Sequence, residues 1–280
     1  MKGLGAGDLQ PLAPSPSLWC CRLHWRLMIL DRFQLQGKRA LVTGAGRGLG
    51  QAAAVGLAEA GADVALVDVI PVAESAGKVR ALGRRACEIQ ANLLDRASVA
   101  MVVETAVRDL GGIDILLNNA GIIRRAPLLE FSEKDWDDVI QINESAVFFL
   151  SQAVAKQMVA QGGGGKIINI ASMLSFQGGI RVPSYTASKS AVMGLTRLMG
   201  NELAPYRINV NAIAPGYMAT DNTAPLRADA GRSAEILGRI PAGRWGEPED
   251  LQGVVVFLAS AASDYVTGYT IAVDGGWLAR

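Results

Sequence analysis

From Asp31 onward, short runs of Val, Ile, Leu and Ala alternate with longer stretches of helical spacing, and this alternation constrains the fold more than any other feature of the chain. The segments "KRALVT" (38–43), "DVALVDV" (63–69), "RACEIQA" (85–91), "IDILLNNAG" (113–121), "KIINIAS" (166–172), "RINVNAIAPG" (207–216) and "TIAVDGG" (270–276) read as strands. Helices are expected between them, over 50–61, 73–82, 96–110, 133–160, 183–204 and 248–260. Strands that are apolar without a break, rather than alternating with polar residues, suit a parallel sheet covered on both faces. The reading is one α/β domain over 28–280, a doubly wound Rossmann-type fold with a seven-stranded parallel sheet and helices on both faces. No internal repeat or linker divides it.

Residues 1–27 do not follow this pattern. They hold the single histidine, His24, and two adjacent cysteines, Cys20 and Cys21, among Pro, Gly and Ser. Such a segment buries too little apolar surface to offset its ordering entropy, so a disordered extension, or a start assigned upstream of Met28, is expected.

Composition narrows the function classes. Lys+Arg 27 against Asp+Glu 26 leaves a net charge of +1, with no basic excess to attract nucleic acid. There is no apolar run long enough for a transmembrane helix, so no membrane association is expected. Three cysteines make neither a disulfide framework nor a zinc pattern, which points to a reducing, cytoplasmic compartment. With one histidine, neither a Ser-His-Asp mechanism nor a multi-histidine metal site is expected, and no metal is expected.

The motifs fall at strand ends. "TGAGRGLG" (43–50) joins the first strand to the first helix. Gly44, Gly48 and Gly50 permit a tight turn and close approach of a pyrophosphate to the helix N-terminus. The spacing is T-G-x-x-x-G-x-G, with Leu49 where the third glycine of G-x-G-x-x-G would stand. Asp68, at the end of the second strand, is placed to hydrogen-bond a ribose 2′-hydroxyl and to repel a 2′-phosphate, favouring NAD. Arg47 acts in the opposite sense. Asn118 and Asn119, in "NNAG", end the fourth strand, and Ser172 ends the fifth. Tyr185 and Lys189, in "SYTASKS", stand one helical turn apart. A nearby ammonium is expected to lower the tyrosine pKa from about 10, and Ser172 to hydrogen-bond a substrate oxygen. Together they make an acid/base centre for interconverting an alcohol and a ketone. Arg124, Arg125 and Arg181 flank this edge and suit recognition of a substrate carboxylate, with Arg181 the first choice.

The ordered set of glycine loop, acid, NNAG, Ser and Tyr-x-x-x-Lys resembles the classical short-chain dehydrogenase/reductase family over about 33–280. The resemblance implies a catalytic tetrad of Asn143, Ser172, Tyr185 and Lys189, with Asn143 ordering a water in a proton relay and Lys189 also binding the nicotinamide ribose. It implies cofactor contacts from Gly44, Arg47, Gly48, Leu49, Gly50, Asp68, Asn92, Leu93, Asn119, Ala120, Gly121, Pro215, Gly216, Met218 and Thr220. Asn92 stands where the family usually has an aspartate. Ser172, Tyr185, Arg124 and Arg181 would meet the substrate. The stretches "LEFSEKDWDDVI", "NAIAPGYMAT" and "RIPAGRWG" are similar to members acting on keto-deoxy sugar acids of pectin and uronate breakdown, and a homotetramer is the family's usual assembly. A gluconate-type dehydrogenase, a 3-oxoacyl carrier-protein reductase and a dinucleotide-sensing binding protein are the alternatives. The complete tetrad favours an enzyme over a sensor.

Overall fold

A computed structural model describes residues 28–280; the expectations for 1–27, including His24, Cys20 and Cys21, lie outside the described residues. The strands are β1 (Arg39–Thr43), β2 (Asp63–Asp68), β3 (Ala86–Gln90), β4 (Ile115–Asn118), β5 (Gly165–Ile170), β6 (Ile208–Pro215) and β7 (Thr270–Val273). They form one seven-stranded sheet in the order β3-β2-β1-β4-β5-β6-β7. Every pairing is parallel.

Successive strand side chains point to opposite faces, and each face has its own core. Ala40, Val42, Val64, Leu66, Ile115, Leu117 and Ile168 pack on one side. There they meet α1 (Gly48–Glu59), α2 (Ala73–Ala81) and α9 (Gln252–Ala259) through Leu57, Val79, Val255 and Leu258. Leu41, Ala65, Val67, Leu116, Ile167 and Val210 pack on the other. Their partners are α3 (Ser98–Leu110), α5 (Ala146–Gln161) and α6 (Pro183–Leu203), through Val102, Leu150, Val154 and Met199. This is why the strands read as unbroken apolar runs: both alternating sets are buried.

The chain reverses direction across the sheet between β1 and β4, which leaves a crevice outside their carboxyl ends. Four features differ from the sequence expectation. The strand read over 113–121 is only Ile115–Asn118, because the following residues leave the sheet to line the crevice. The helix read over 133–160 is α4 (Glu133–Ile140) and α5, joined by a π-helical turn over Gln141–Ser145. The segment read over 248–260 opens with a 3₁₀ turn, Pro248–Leu251. Two helices not foreseen, α7 (Ala224–Ala228) and α8 (Ala230–Arg239), follow β6.

Candidate active site

The crevice floor is a set of backbone ties between β1 and β4. Thr43, at the end of β1, is fully buried, and its hydroxyl accepts from the amides of Asn119 and Ala120, each at 3.0 Å. The Asn119 side chain donates back to the carbonyls of Thr43 (3.0 Å) and Gly44 (3.1 Å). Asn119 therefore shapes the glycine loop, and its side-chain amide is fully engaged in doing so. Asn118 is buried beneath, donating to Ser151 and Asn169 at 2.9 Å each.

The glycine loop fits a dinucleotide. A Cβ on Gly50 would stand 2.0 Å from the Gly44 carbonyl oxygen and 2.5 Å from Asn119 Nδ2, so helix and loop pack at backbone contact only because Gly50 has none. Gly48, at φ +56°, is the opposite case: a Cβ there would meet only Thr220, at 3.7 Å. The cradle is thus open over Gly48 and roofed by Thr220, with Leu49 beside it on the first turn of α1. No side chain among the described residues caps α1, and its first turn holds no acid. Its leading N–H groups and dipole are left for an anion.

Asp68 stands beside this loop. Its Oδ2 accepts from Gly46 N (2.8 Å) and its Oδ1 from Val69 N (2.7 Å), so the carboxylate is held at the rim. Arg47 is exposed and pairs with Asp221 at 2.8 Å. Asn92 is exposed after β3, accepting from Leu94 N, and Leu93 is buried. Gly216 follows Pro215, where a Cβ would meet Asp274 Cα at 2.7 Å. The Met218 side chain is buried, and its backbone follows Gly216 along the same loop.

Ser172, Tyr185, Lys189 and Asn143 converge at the same edge. Ser172 is buried and its hydroxyl accepts from Leu174 N at 3.1 Å. Tyr185 and Lys189 share one face of α6, with the ammonium 5.7 Å from the tyrosine ring centre. The buried residues of α6 are Ser184, Ser188, Lys189, Val192, Thr196, Met199 and Gly200, mostly small or polar at its N-terminal half. Lys189 donates to the Ile170 carbonyl at 2.6 Å. Asn143, fully buried in the π-turn, accepts from Ile122 N and donates to Ile122 O, each at 2.9 Å. Single π-turns often mark functional positions, and this one turns Asn143 inward. Gly121 faces both partners: a Cβ there would stand 3.2 Å from Asn143 Oδ1 and 3.7 Å from Lys189 Nζ.

Electrostatics corrects one expectation. Burial pushes the Lys189 pKa down to about 8. Burial also pushes Tyr185 up, outweighing the opposing hydrogen bond from Ser172 and the charge of Arg125. The anticipated lowering by Lys189 does not prevail, because removing the phenolate from water costs more than these neighbours return. Arg125 is the cation whose field reaches Tyr185; it also donates to the Asn222 carbonyl at 3.1 Å. Arg124 turns away to pair with Asp135 at 3.2 Å. Arg181 is exposed, in the left-handed region at φ 63°, and its carbonyl accepts from Ala126 N. The sequence favours Arg181 among the three arginines; Arg125 is the one whose charge acts on Tyr185.

No acid, histidine and cysteine cluster suited to a metal exists among the described residues, and no helix there is long and apolar enough to cross a membrane.

Comparison with known proteins agrees with this geometry. The short chain dehydrogenase family profile matches residues 38–231. The 2-dehydro-3-deoxy-D-gluconate 5-dehydrogenase of Dickeya dadantii is 67% identical over 253 residues, covering 90% of this chain and 100% of that protein. A gluconate 5-dehydrogenase of Burkholderia cenocepacia, solved with NADP and tartrate, is 44% identical with a TM-score of 0.86, covering 90% of this chain and 100% of that one. Carveol dehydrogenase of Mycobacterium avium, solved with NAD, is 30% identical with a TM-score of 0.83, covering 88% and 99%. The glycine cradle, the buried serine and lysine with the partly buried tyrosine, and these similarities place the chain in the short-chain dehydrogenase family of oxidoreductases.

Proposed function

We propose that the protein interconverts 2,5-diketo-3-deoxygluconate and 2-keto-3-deoxygluconate with NAD(H), a step of pectin and uronate breakdown. The carrying observation is the 67% identity to the Dickeya dadantii enzyme over its full length. A nicotinamide cofactor held by the glycine loop and Lys189 would supply or accept the hydride at C5. In reduction, Tyr185 gives its phenolic proton to the carbonyl oxygen that becomes the hydroxyl, and in oxidation the phenolate takes it back. Ser172, buried beside it, holds that oxygen by hydrogen bonding. Burial keeps the Tyr185 phenol protonated, the form from which reduction starts. Lys189, largely protonated at pH 7, opposes the charge left on the phenolate. Asn143 orders the approach to Lys189 from the Gly121 side.

The preference for NAD rests on Asp68, whose carboxylate is fixed at the rim by Gly46 and Val69 amides and would face a 2′-phosphate as an anion. Arg47 is drawn towards Asp221. The NADP bound to the Burkholderia cenocepacia enzyme makes the opposite outcome the one to test. Arg125 is assigned to the substrate carboxylate, with Arg181, whose carbonyl accepts from Ala126 N, as the second candidate; Arg124 is engaged by Asp135. A homotetramer in the cytoplasm completes the proposal, and light scattering showing a stable monomer at micromolar concentration would remove the tetramer from it.

A panel of 2,5-diketo-3-deoxygluconate, 5-ketogluconate and a 3-oxoacyl thioester, each with NADH and NADPH, tests the whole reading. The highest kcat/KM belongs to the first with NADH. A higher value for 5-ketogluconate would reassign the protein to the gluconate 5-dehydrogenase activity named for its Burkholderia cenocepacia relative.

A further inference from the structure

Ser172 and the Tyr185–Lys189 pair lie on different elements, the loop after β5 and helix α6, and the geometry between them must hold during proton transfer. The intervening loop is poorly suited to fix it, since Phe176, Gly178, Gly179, Ile180 and Arg181 are all exposed. Besides the bond from Lys189 Nζ to the Ile170 carbonyl, one side chain of the turn itself spans the gap. Ser175 is 8% exposed, and its hydroxyl donates to the Lys189 carbonyl at 2.6 Å. The same oxygen accepts from the backbone amide of Ser172 at 3.3 Å. Ser175 N in turn donates to the Ser172 carbonyl at 2.9 Å, closing a short turn over Met173–Ser175.

We propose that Ser175 is a positioning residue that sets the separation of Ser172 from Tyr185 and Lys189. The inference rests on the catalytic roles given to those three residues above. Its physical basis is the two-sided bond. The hydroxyl ties the turn to α6, while the Ser172 amide, buried with its residue, has Ser175 as its side-chain partner. Truncation to Ala frees the turn from α6 and leaves that amide unsatisfied, which favours a shifted turn. Displacing a reacting group by about 1 Å can cost on the order of 100-fold in rate, so a partial shift predicts a loss of about tenfold in kcat. The cofactor cradle is built from Thr43, Gly44, Gly50 and Asn119, none of which hydrogen-bonds to Ser175. The part of cofactor binding made by this cradle is thus separable from the defect.

The test compares wild type, Ser175→Ala, Ser175→Thr and Tyr185→Phe as full-length proteins. Turnover of 2-keto-3-deoxygluconate with NAD⁺ gives kcat and KM, and fluorescence titration gives the Kd for NADH. The expected result is a kcat loss of about tenfold in Ser175→Ala, an NADH Kd equal to wild type, and recovery of most of the kcat in Ser175→Thr, which keeps the hydroxyl. Wild-type kcat in Ser175→Ala overturns the proposal. So does an equal loss in both Ser175 variants, which would trace the effect to side-chain volume. A joint loss of NADH binding and kcat, the mark of general destabilisation, also overturns it. If Tyr185→Phe is inactive while Ser175→Ala is normal, only this inference fails. An active Tyr185→Phe removes the catalytic assignment and the inference with it.

Discussion

Replacing Lys189 by Met should abolish activity and yet stabilise the cofactor-free protein at neutral pH. Lys189 is 4% exposed, and burial holds its pKa at about 8 against an ordinary 10.5. At about 1.4 kcal/mol for each tenfold change in proton affinity, the folded state loses about 3 kcal/mol by carrying this charge inside. The sign follows from where the protons sit. The unfolded chain binds the lysine proton more tightly, so the cost is complete below about pH 8, shrinks between pH 8 and 10.5, and vanishes above. Met has a similar length and no charge. It forfeits the 2.6 Å bond from Nζ to the Ile170 carbonyl, a charged hydrogen bond of about 1.5–3 kcal/mol. The net gain at pH 7 is then about 1 kcal/mol, a rise in Tm of about 2–4 °C for a domain of this size. Thermal and urea unfolding of wild type and variant from pH 6.5 to 9.5 measures it. The difference should favour Lys189→Met near pH 7 and reverse as the pH approaches 9.5. A pH-independent difference, or a variant less stable at pH 7, would refute the account of Lys189 as a buried charge held for function.

Gly50→Ala should be damaging, because its Cβ would fall 2.0 Å from the Gly44 carbonyl oxygen. Overpacking of about 1–3 kcal/mol predicts a Tm lower by several degrees, and calorimetry with NADH titration should show weakened cofactor binding as well. Asp68→Ala should raise the kcat/KM ratio of NADPH to NADH by about tenfold, through relief of about 1.4 kcal/mol of repulsion at the 2′-position; an unchanged ratio would discount Asp68. Arg125→Ala should raise KM for the sugar acid by about tenfold or more without altering the NADH Kd, from loss of a charge-assisted bond of about 1.5–3 kcal/mol. Arg124→Ala, whose native side chain is paired with Asp135, should do much less.

The parts of the fold legible in the sequence are those where one physical rule acts alone. Val42 and Leu41 point to opposite cores, so the centre of β1 had to be apolar on both faces, and the same holds for the centres of β2 and β4. Ser172, Tyr185 and Lys189 were legible as part of an ordered set, Asn143 only through the family resemblance, and the structure brings all four to one edge. Helix α8 was missed, although Asp229 caps it by accepting from Arg232 N and offered a start signal. Only Ile236 of that helix is buried, against Met173 and Trp277 of distant segments, so its apolar period was faint. The π-turn at Asn143 has no local signature, since "QINES" continues a helical pattern on both sides. The direction of the Tyr185 shift and the bridge made by Ser175 were illegible for a shared reason. Both depend on how closely α6 packs against the loop after β5, a tertiary distance that no spacing of residues encodes.

The central claim is that Tyr185 supplies the proton in a nicotinamide-dependent reduction of a keto-deoxy sugar acid. Tyr185→Phe keeps the ring and its packing and removes only the hydroxyl. The decisive measurement is single-turnover oxidation of bound NADH by 2,5-diketo-3-deoxygluconate, followed by loss of nicotinamide absorbance in wild type and variant, with NADH affinity determined alongside. The account predicts wild-type NADH affinity and a rate reduced by about 100-fold or more, the scale of general acid catalysis. A variant that binds NADH and turns over at the wild-type rate would contradict it.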